Sequence, residues 1–130
     1  MNGRIKKELD LLRRRYPDLE YHDDSQWVKI PAYPLSEGWD RTPTDVAFQI
    51  QLQYPGTPPY GIYVPAGITF KGEKPNDYTE PAGNQPPFGG SWGVFSWTIE
   101  GQWRATSDLV TGSNLSNWVS SFADRFSQGK

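Results

Sequence analysis

Apolar residues recur along this chain with two different periods. In "GRIKKELDLLRRRY" (3–16), Ile5, Leu9 and Leu12 stand at i, i+4 and i+7, and Leu11 and Tyr16 widen the stripe. That spacing predicts an amphipathic helix with Lys and Arg on its other face. Pro17 ends it, because the residue before a proline avoids the helical region. In "DVAFQIQLQY" (45–54), Val46, Phe48, Ile50 and Leu52 alternate with Ala47, Gln49, Gln51 and Gln53. Period two predicts a strand with one buried face. "SQWVKIPAY" (25–33) and "YGIYVPAGITF" (60–70) predict further strands, joined through a loop or hairpin at 35–44 and a rigid "PGTPP" turn at 55–59. Near the end, Leu115, Trp118, Val119, Phe122 and Phe126 return to helical spacing, with Ser113 or Asn114 as its cap and a separate first turn expected over Thr106–Gly112.

Between these elements, residues 71–92 lose all periodicity and are crowded with proline and glycine. A loop this long in a small domain is usually functional or disordered. Tyr78, Phe88 and Trp92 within it favour a packed loop. "GVFSWTIEGQW" (93–103) then regains a short extended run. The whole predicts one α+β domain over 1–130, with a helix, an antiparallel meander, a long loop and a C-terminal helix. There is no internal repeat.

Composition narrows the function. With 130 residues, 13 Gly, 12 Pro and six Trp, the chain suits a turn-rich domain held by large rings. Net charge is −2, and nothing global points to nucleic acid or an anionic membrane. Residues 1–15 nevertheless carry six basic side chains against Glu8 and Asp10, a net +4, so the rest sums to −6. A basic head on an acidic body suggests an acidic partner, with a solvated helix face as the alternative. The absence of cysteine excludes disulfides and thiol chemistry. The N-terminal stretch lacks the apolar core of a signal peptide, and no apolar run approaches a membrane span. A soluble cytoplasmic protein is the expectation.

Chemistry read from residue types stays unselective. His22, Asp23 and Asp24 are adjacent and ill-placed to converge on one metal ion. One histidine and many serines permit a triad without specifying it. Paired carboxylates cannot be picked from 15 acidic residues, and "GNQPPFGG" has prolines where a phosphate loop needs free N–H groups. The tryptophans (27, 39, 92, 97, 103, 118) are spread over every element, which favours core use over a ligand platform.

Two stretches carry a resemblance. "YPGTPPYGIYV" (54–64) resembles the Y-P-x-x-P-P turn and following strand of ubiquitin-conjugating enzymes. "GVFSWTIEGQW" resembles their active-site segment, in which a glycine precedes an apolar residue, the catalytic cysteine, further apolar residues and a tryptophan. The order of elements is similar over nearly the whole chain, and the likeness is to a divergent bacterial branch encoded beside ubiquitin-like proteins and activating enzymes. The resemblance implies a ubiquitin-conjugating-like fold with a four-stranded meander. It also implies transfer of a ubiquitin-like modifier from an activating enzyme to a protein acceptor. No cofactor is implied for this chain, since the activating enzyme would use the ATP, and neither nucleic acid nor a membrane is an expected partner.

The family's cysteine position falls on Ser96, seven residues before Trp103. The family's His-Pro-Asn stretch falls on Pro86, Pro87 and Phe88, so Asn84 or the amides of Gly89 and Gly90 are the candidates for the missing amide. Trp97, Trp103 and Asp108 complete the expected surroundings. Asp108, Asp77 and Glu100 are candidate bases, while His22 is expected to sit too far away. Through the same resemblance Arg4, Lys6, Lys7, Arg13 and Arg14 become candidate contacts to the activating enzyme. A thiol with a pKa of about 8.5 is partly ionised at neutral pH, whereas an alcohol needs a base or a polarising site. Three readings of Ser96 follow: a native nucleophile forming an oxyester, a serine standing in for a cysteine to trap a complex, and an inactive module that binds a ubiquitin-like protein. An unrelated aromatic-rich ligand-binding domain is the remaining class.

Overall fold

The computed structural model describes residues 3–99, 103–109 and 112–129. Helix α1 spans Gly3–Arg15 and buries Ile5, Leu9 and Leu12, the expected stripe. Tyr16 N–H still reaches the Leu12 carbonyl at 2.8 Å before Pro17 stops the helix. Arg13, Arg14 and Arg15 crowd the last turn, where cations suit the helix dipole.

Six strands follow: β1 (Glu20–His22), β2 (Trp27–Tyr33), β3 (Thr44–Gln49), β4 (Ile62–Pro65), β5 (Tyr78–Thr79) and β6 (Trp92–Phe95). They form one sheet in the order β1-β2-β3-β4-β6-β5, and every neighbouring pair is antiparallel. The α+β class and the antiparallel sheet agree with expectation, but the sheet has six strands, not four. Strand β1 ends at His22, and β5 emerges from the long loop. Both are short strands defined by their partners, not by a pattern of their own.

The remaining differences are of length. Strand β3 stops at Gln49, because Tyr54 N–H turns back to the Gln51 carbonyl and Gly56 N–H to that of Gln53. Leu52, expected on the buried face, is 89 % exposed as a result. The strand expected over 60–70 shrinks to β4. The C-terminal helix is divided at Ser121 into α2 (Leu115–Ser120) and α3 (Phe122–Gln128). The Ser121 hydroxyl donates to the Trp118 carbonyl at 2.6 Å, a side-chain bond that competes with regular helix geometry. Asn114 is the N-cap. Its side chain accepts from Asn117 N–H and its own N–H donates to the Asn117 side chain.

The helices cover one face of the sheet. Val28, Ile30, Val46, Phe48, Ile62, Val64 and Phe95 pack there against the apolar stripes of α1, α2 and α3. Two buried rings have their polar tips met: the Tyr33 hydroxyl donates to Val119 O at 3.1 Å and the Trp39 indole to Phe126 O at 3.0 Å, whereas the indole N–H of Trp118 has no partner among the described residues. On the other face Trp27, Ala47 and Trp92 form a second, smaller cluster with Tyr63 and Phe88. The segment between β5 and β6 covers that cluster. Among the described residues, no helix is long and apolar enough to cross a membrane.

Candidate functional site

Alternation along β6 decides what Ser96 does locally. Phe95 is fully buried among Trp39, Tyr78 and Phe126. The indole of Trp97 donates to the Ser121 hydroxyl at 3.1 Å, on the helix side of the sheet. Ser96 between them is exposed and faces away from the helices.

The backbone at Ser96 departs from a regular ladder. Pairs Pro65↔Trp92, Val64↔Gly93, Tyr63↔Val94 and Ile62↔Phe95 keep one register. The next bond runs from Gly61 N–H to the Trp97 carbonyl, 2.9 Å, one residue beyond that register. Two residues of the β6 side, Ser96 and Trp97, therefore oppose Gly61. This bulge-like step lies at the end of the ladder, just past the last paired residues of β4 and β6, where such an irregularity re-aims a side chain. Gly61 has φ +87°, and a Cβ there would lie 3.0 Å from Val94 Cγ2. On the other side of β6, Ser96 N–H donates to the Asp77 carbonyl at 2.8 Å. The serine thus sits one residue beyond β6, exposed, with its N–H tied to Asp77.

Trp103 is docked on the proline turn. Its indole donates to Pro55 O at 2.7 Å and its ring packs against Tyr54 at 6.1 Å between centroids. A shallow cleft opens beside this contact, lined by Pro55, Gly56, Trp103, Arg104, Ala105 and Thr106. The two stretches read from sequence, 54–64 and 93–103, are therefore joined at both ends, by Pro55 to Trp103 and by Gly61 to Trp97.

The supporting residues expected around Ser96 are scattered. The Trp92 indole bonds Gly89 O at 2.8 Å, and the Gln85 side chain bonds both Trp92 N–H and Trp92 O. These contacts hold Gly89 and Gly90 at the start of β6, about 13 Å along the strand from Ser96 at ~3.3 Å per residue. Asn84 lies on the same outer face but donates to Gln49 Oε1 at 3.3 Å, on β3 with β4 between it and β6. The structure brings neither the glycine amides nor Asn84 onto Ser96. Asp108 belongs to a turn in which Thr106 Oγ1 accepts its N–H and Gly112 N–H meets its carbonyl. Its neighbours Ser107 and Leu109 line a depression with Gly3, Arg4 and Lys7, against α1 and away from Ser96. His22 is four strands from Ser96, about 19 Å at ~4.8 Å per strand, and its ring meets Phe88 edge-on at 5.1 Å. Asp77 is adjacent through its backbone. Glu100 lies outside the described residues. Among the described residues, no side chain is hydrogen-bonded to the Ser96 hydroxyl, and no cluster of His, Asp or Glu is arranged to hold a metal ion.

The basic helix divides into two roles. Lys6, Lys7, Arg13 and Arg14 are exposed, with Lys6 and Arg13 near Asp10 at 3.6 and 3.8 Å. Arg4 instead pairs with Glu8 at 2.8 Å and reaches the carbonyls of Thr106 and Ser113. Glu8 is 2 % exposed and also accepts from the Tyr54 hydroxyl and from Leu115 N–H, both at 2.6 Å. Burial, then Glu8, raise the Tyr54 pKa far above the ordinary phenol value. One buried carboxylate therefore ties α1 to the proline turn, to the segment after Trp103 and to the start of α2. The signal was in the sequence: Glu8 stands three residues after Ile5, on the apolar stripe, and four after Arg4.

The tryptophans do not make an open platform. Trp27, Trp39, Trp92 and Trp118 are buried, and Trp97 and Trp103 are half-buried with their indoles bonded inward. No family model matches the chain, and no curated protein or solved structure matches it either.

Proposed function

We propose that this protein is a ubiquitin-conjugating-like transferase in which Ser96 carries a ubiquitin-like protein as an oxyester. The observation that supports the reading is the exposed hydroxyl of Ser96 on a bulge between Gly61 and Asp77, at the position where the resembled family has its cysteine. In the reaction, Ser96 Oγ attacks the carbonyl carbon of the thioester that joins the modifier to its activating enzyme. The C–O bond forms, the C–S bond breaks, the thiol departs and the hydroxyl proton passes to solvent or a base. An amine of the acceptor protein then attacks the ester and releases Ser96. The exposed cations Lys6, Lys7, Arg13 and Arg14 are the proposed contact with the activating enzyme; Arg4 is withdrawn from that set because it holds Glu8.

A second reading, a non-catalytic module that binds a ubiquitin-like protein, is favoured by one observation. Among the described residues, no acid or histidine is hydrogen-bonded to the Ser96 hydroxyl to activate it. Peptide mapping separates the two. After incubation with the modifier, its activating enzyme and ATP, the transferase reading expects the modifier's C-terminus on the peptide containing Ser96. The module reading expects a complex without a covalent bond.

A further inference from the structure

Arg125 of α3 is a cation buried to 3 % exposure behind β6. Its guanidinium carbon lies 4.6 Å from the Phe95 ring centroid and 5.9 Å from that of Trp39. Nη1 donates to Gly129 O at 2.7 Å and Nη2 to Asn76 O at 2.9 Å. Burial acts against its charge and Asp77 supports it. A buried cation is costly unless its donors are met, and an apolar side chain would fill the same space without that cost. The guanidinium therefore needs a reason.

Its contacts converge on Ser96. Asn76, held by Nη2, is followed by Asp77, whose carbonyl accepts Ser96 N–H at 2.8 Å. Asp77 has φ +54°, a left-handed conformation that aspartate adopts more readily than most non-glycine residues and that suits a turn. Phe95, the residue before Ser96, lies under the same guanidinium. One side chain thus contacts the residue before Ser96 and holds the residue before Asp77, whose carbonyl meets Ser96 N–H.

We propose that Arg125 is the positioning residue of the Ser96 site, clamping the Asn76–Asp77 turn so that the serine is held at the edge of its bulge. The role rests on the reading of Ser96 as the reacting hydroxyl, but the clamp can be measured without any reaction. Lysine keeps the charge but lacks the planar fork that reaches Asn76 O and Gly129 O together.

Amide hydrogen exchange by NMR compares the native protein with Arg125→Lys. Ser96 N–H is expected to exchange about tenfold faster in the variant, while Gly61 N–H, bonded on the other side of β6, stays within about twofold. No change at Ser96, or an equal acceleration at Ser96, Gly61 and the α3 amides, overturns the proposal. Asp77→Gly is the companion variant. Its acceptor is main chain and glycine takes a positive φ freely, so Ser96 protection is expected to persist; its loss would transfer the role from the guanidinium to the Asp77 carboxylate and overturn the clamp. Should Arg125→Lys not fold, exchange of the native protein across denaturant decides. Ser96 is expected to open together with the α3 amides, and opening with residues 71–77 independently of α3 contradicts the clamp. In the ester-forming reaction, Arg125→Lys lowers the maximal rate and leaves the half-saturating donor concentration unchanged. If the native protein forms no ester, the functional reading falls while the exchange result stands by itself.

Discussion

Gly61 N–H meets the Trp97 carbonyl at 2.9 Å, one residue out of step with the four β4–β6 pairs that precede it. That offset turns Ser96 into a bulge residue. It depends on a backbone with φ +87° and no Cβ, 3.0 Å short of Val94. Gly61→Ala is expected to cost about 1–3 kcal/mol, from a conformation unsuited to an L side chain together with the displaced Val94. Urea unfolding checks this, and an unchanged midpoint would show that the turn relaxes freely.

The Glu8 hub predicts an asymmetry within the basic helix. Glu8→Ala removes the anionic partner of Arg4 and leaves the Tyr54 hydroxyl and Leu115 N–H unmet, and is expected to destabilise by about 3–5 kcal/mol. Glu8→Gln, which keeps one acceptor oxygen, is expected to lose less. Reversing Lys6, Lys7, Arg13 or Arg14 is expected to change stability by no more than about 0.5 kcal/mol each, because these side chains are exposed. Under the proposed transferase function, the four reversals combined are expected to weaken binding to an activating enzyme at moderate salt. Equal unfolding midpoints for Glu8→Ala and Lys7→Glu would refute the division.

What could be read along the chain followed from local pattern. The stripes Ile5–Leu9–Leu12 and Leu115–Trp118–Val119–Phe122–Phe126 are all buried, since a 3.6-residue period needs no partner to be seen. Val46 and Phe48 kept period two, but Leu52 did not, because turn bonds at 51–56 end the strand before it. Strands β1 and β5 were hidden, being three and two residues long and defined by pairing with distant segments. The candidacy of Ser96 rests on its register against Trp103, a local spacing; the irregular pairing beside it depends on Gly61, 35 residues earlier, and leaves no local pattern. Nor did the charge of Arg4 reveal that it turns inward while its neighbours turn out.

The pH limits follow from side chains at the sheet edge and in the core. Glu80 accepts the Gly67 N–H and the Tyr78 hydroxyl, which hold its pKa below the ordinary 4.5. A depressed folded pKa gives stability that is present above the unfolded value and lost as pH falls through the folded one. NMR titration is expected to place the Glu80 midpoint below that of an ordinary glutamate, and Glu80→Gln to flatten the acid limb of stability. Burial raises the Tyr33 pKa to about 12 and those of Tyr54 and Tyr78 further, each next to a neighbouring anionic or phenolic group. Raised folded pKa values have the opposite sign. Their contribution is intact below the ordinary phenol value of 10.0 and is lost as pH climbs above it. Ionisation of the Tyr33, Tyr54 or Tyr78 ring before unfolding, at the ordinary phenol pKa and followed residue by residue by NMR, would contradict the burial of these hydroxyls.

A chain without cysteine allows a clean reading of exposure. Ser96→Cys introduces a single thiol on the outward face and is expected to react with iodoacetamide in the folded protein at close to the rate of a free thiol. Ser121→Cys, at a position 7 % exposed, is expected to react only on unfolding. Comparable slow labelling at both positions would mean that Ser96 is covered.

The central claim is the ester on Ser96. The protein is mixed with a ubiquitin-like modifier, an activating enzyme that charges it and ATP, and adducts are resolved with and without thiol reductant and hydroxylamine. An ester on Ser96 gives an adduct that survives reductant, yields to hydroxylamine and is absent from Ser96→Ala. In Ser96→Cys the adduct should form faster and become sensitive to reductant, as a thioester must. An adduct of equal yield in Ser96→Ala, or none with the native serine while Ser96→Cys is charged readily, would contradict it.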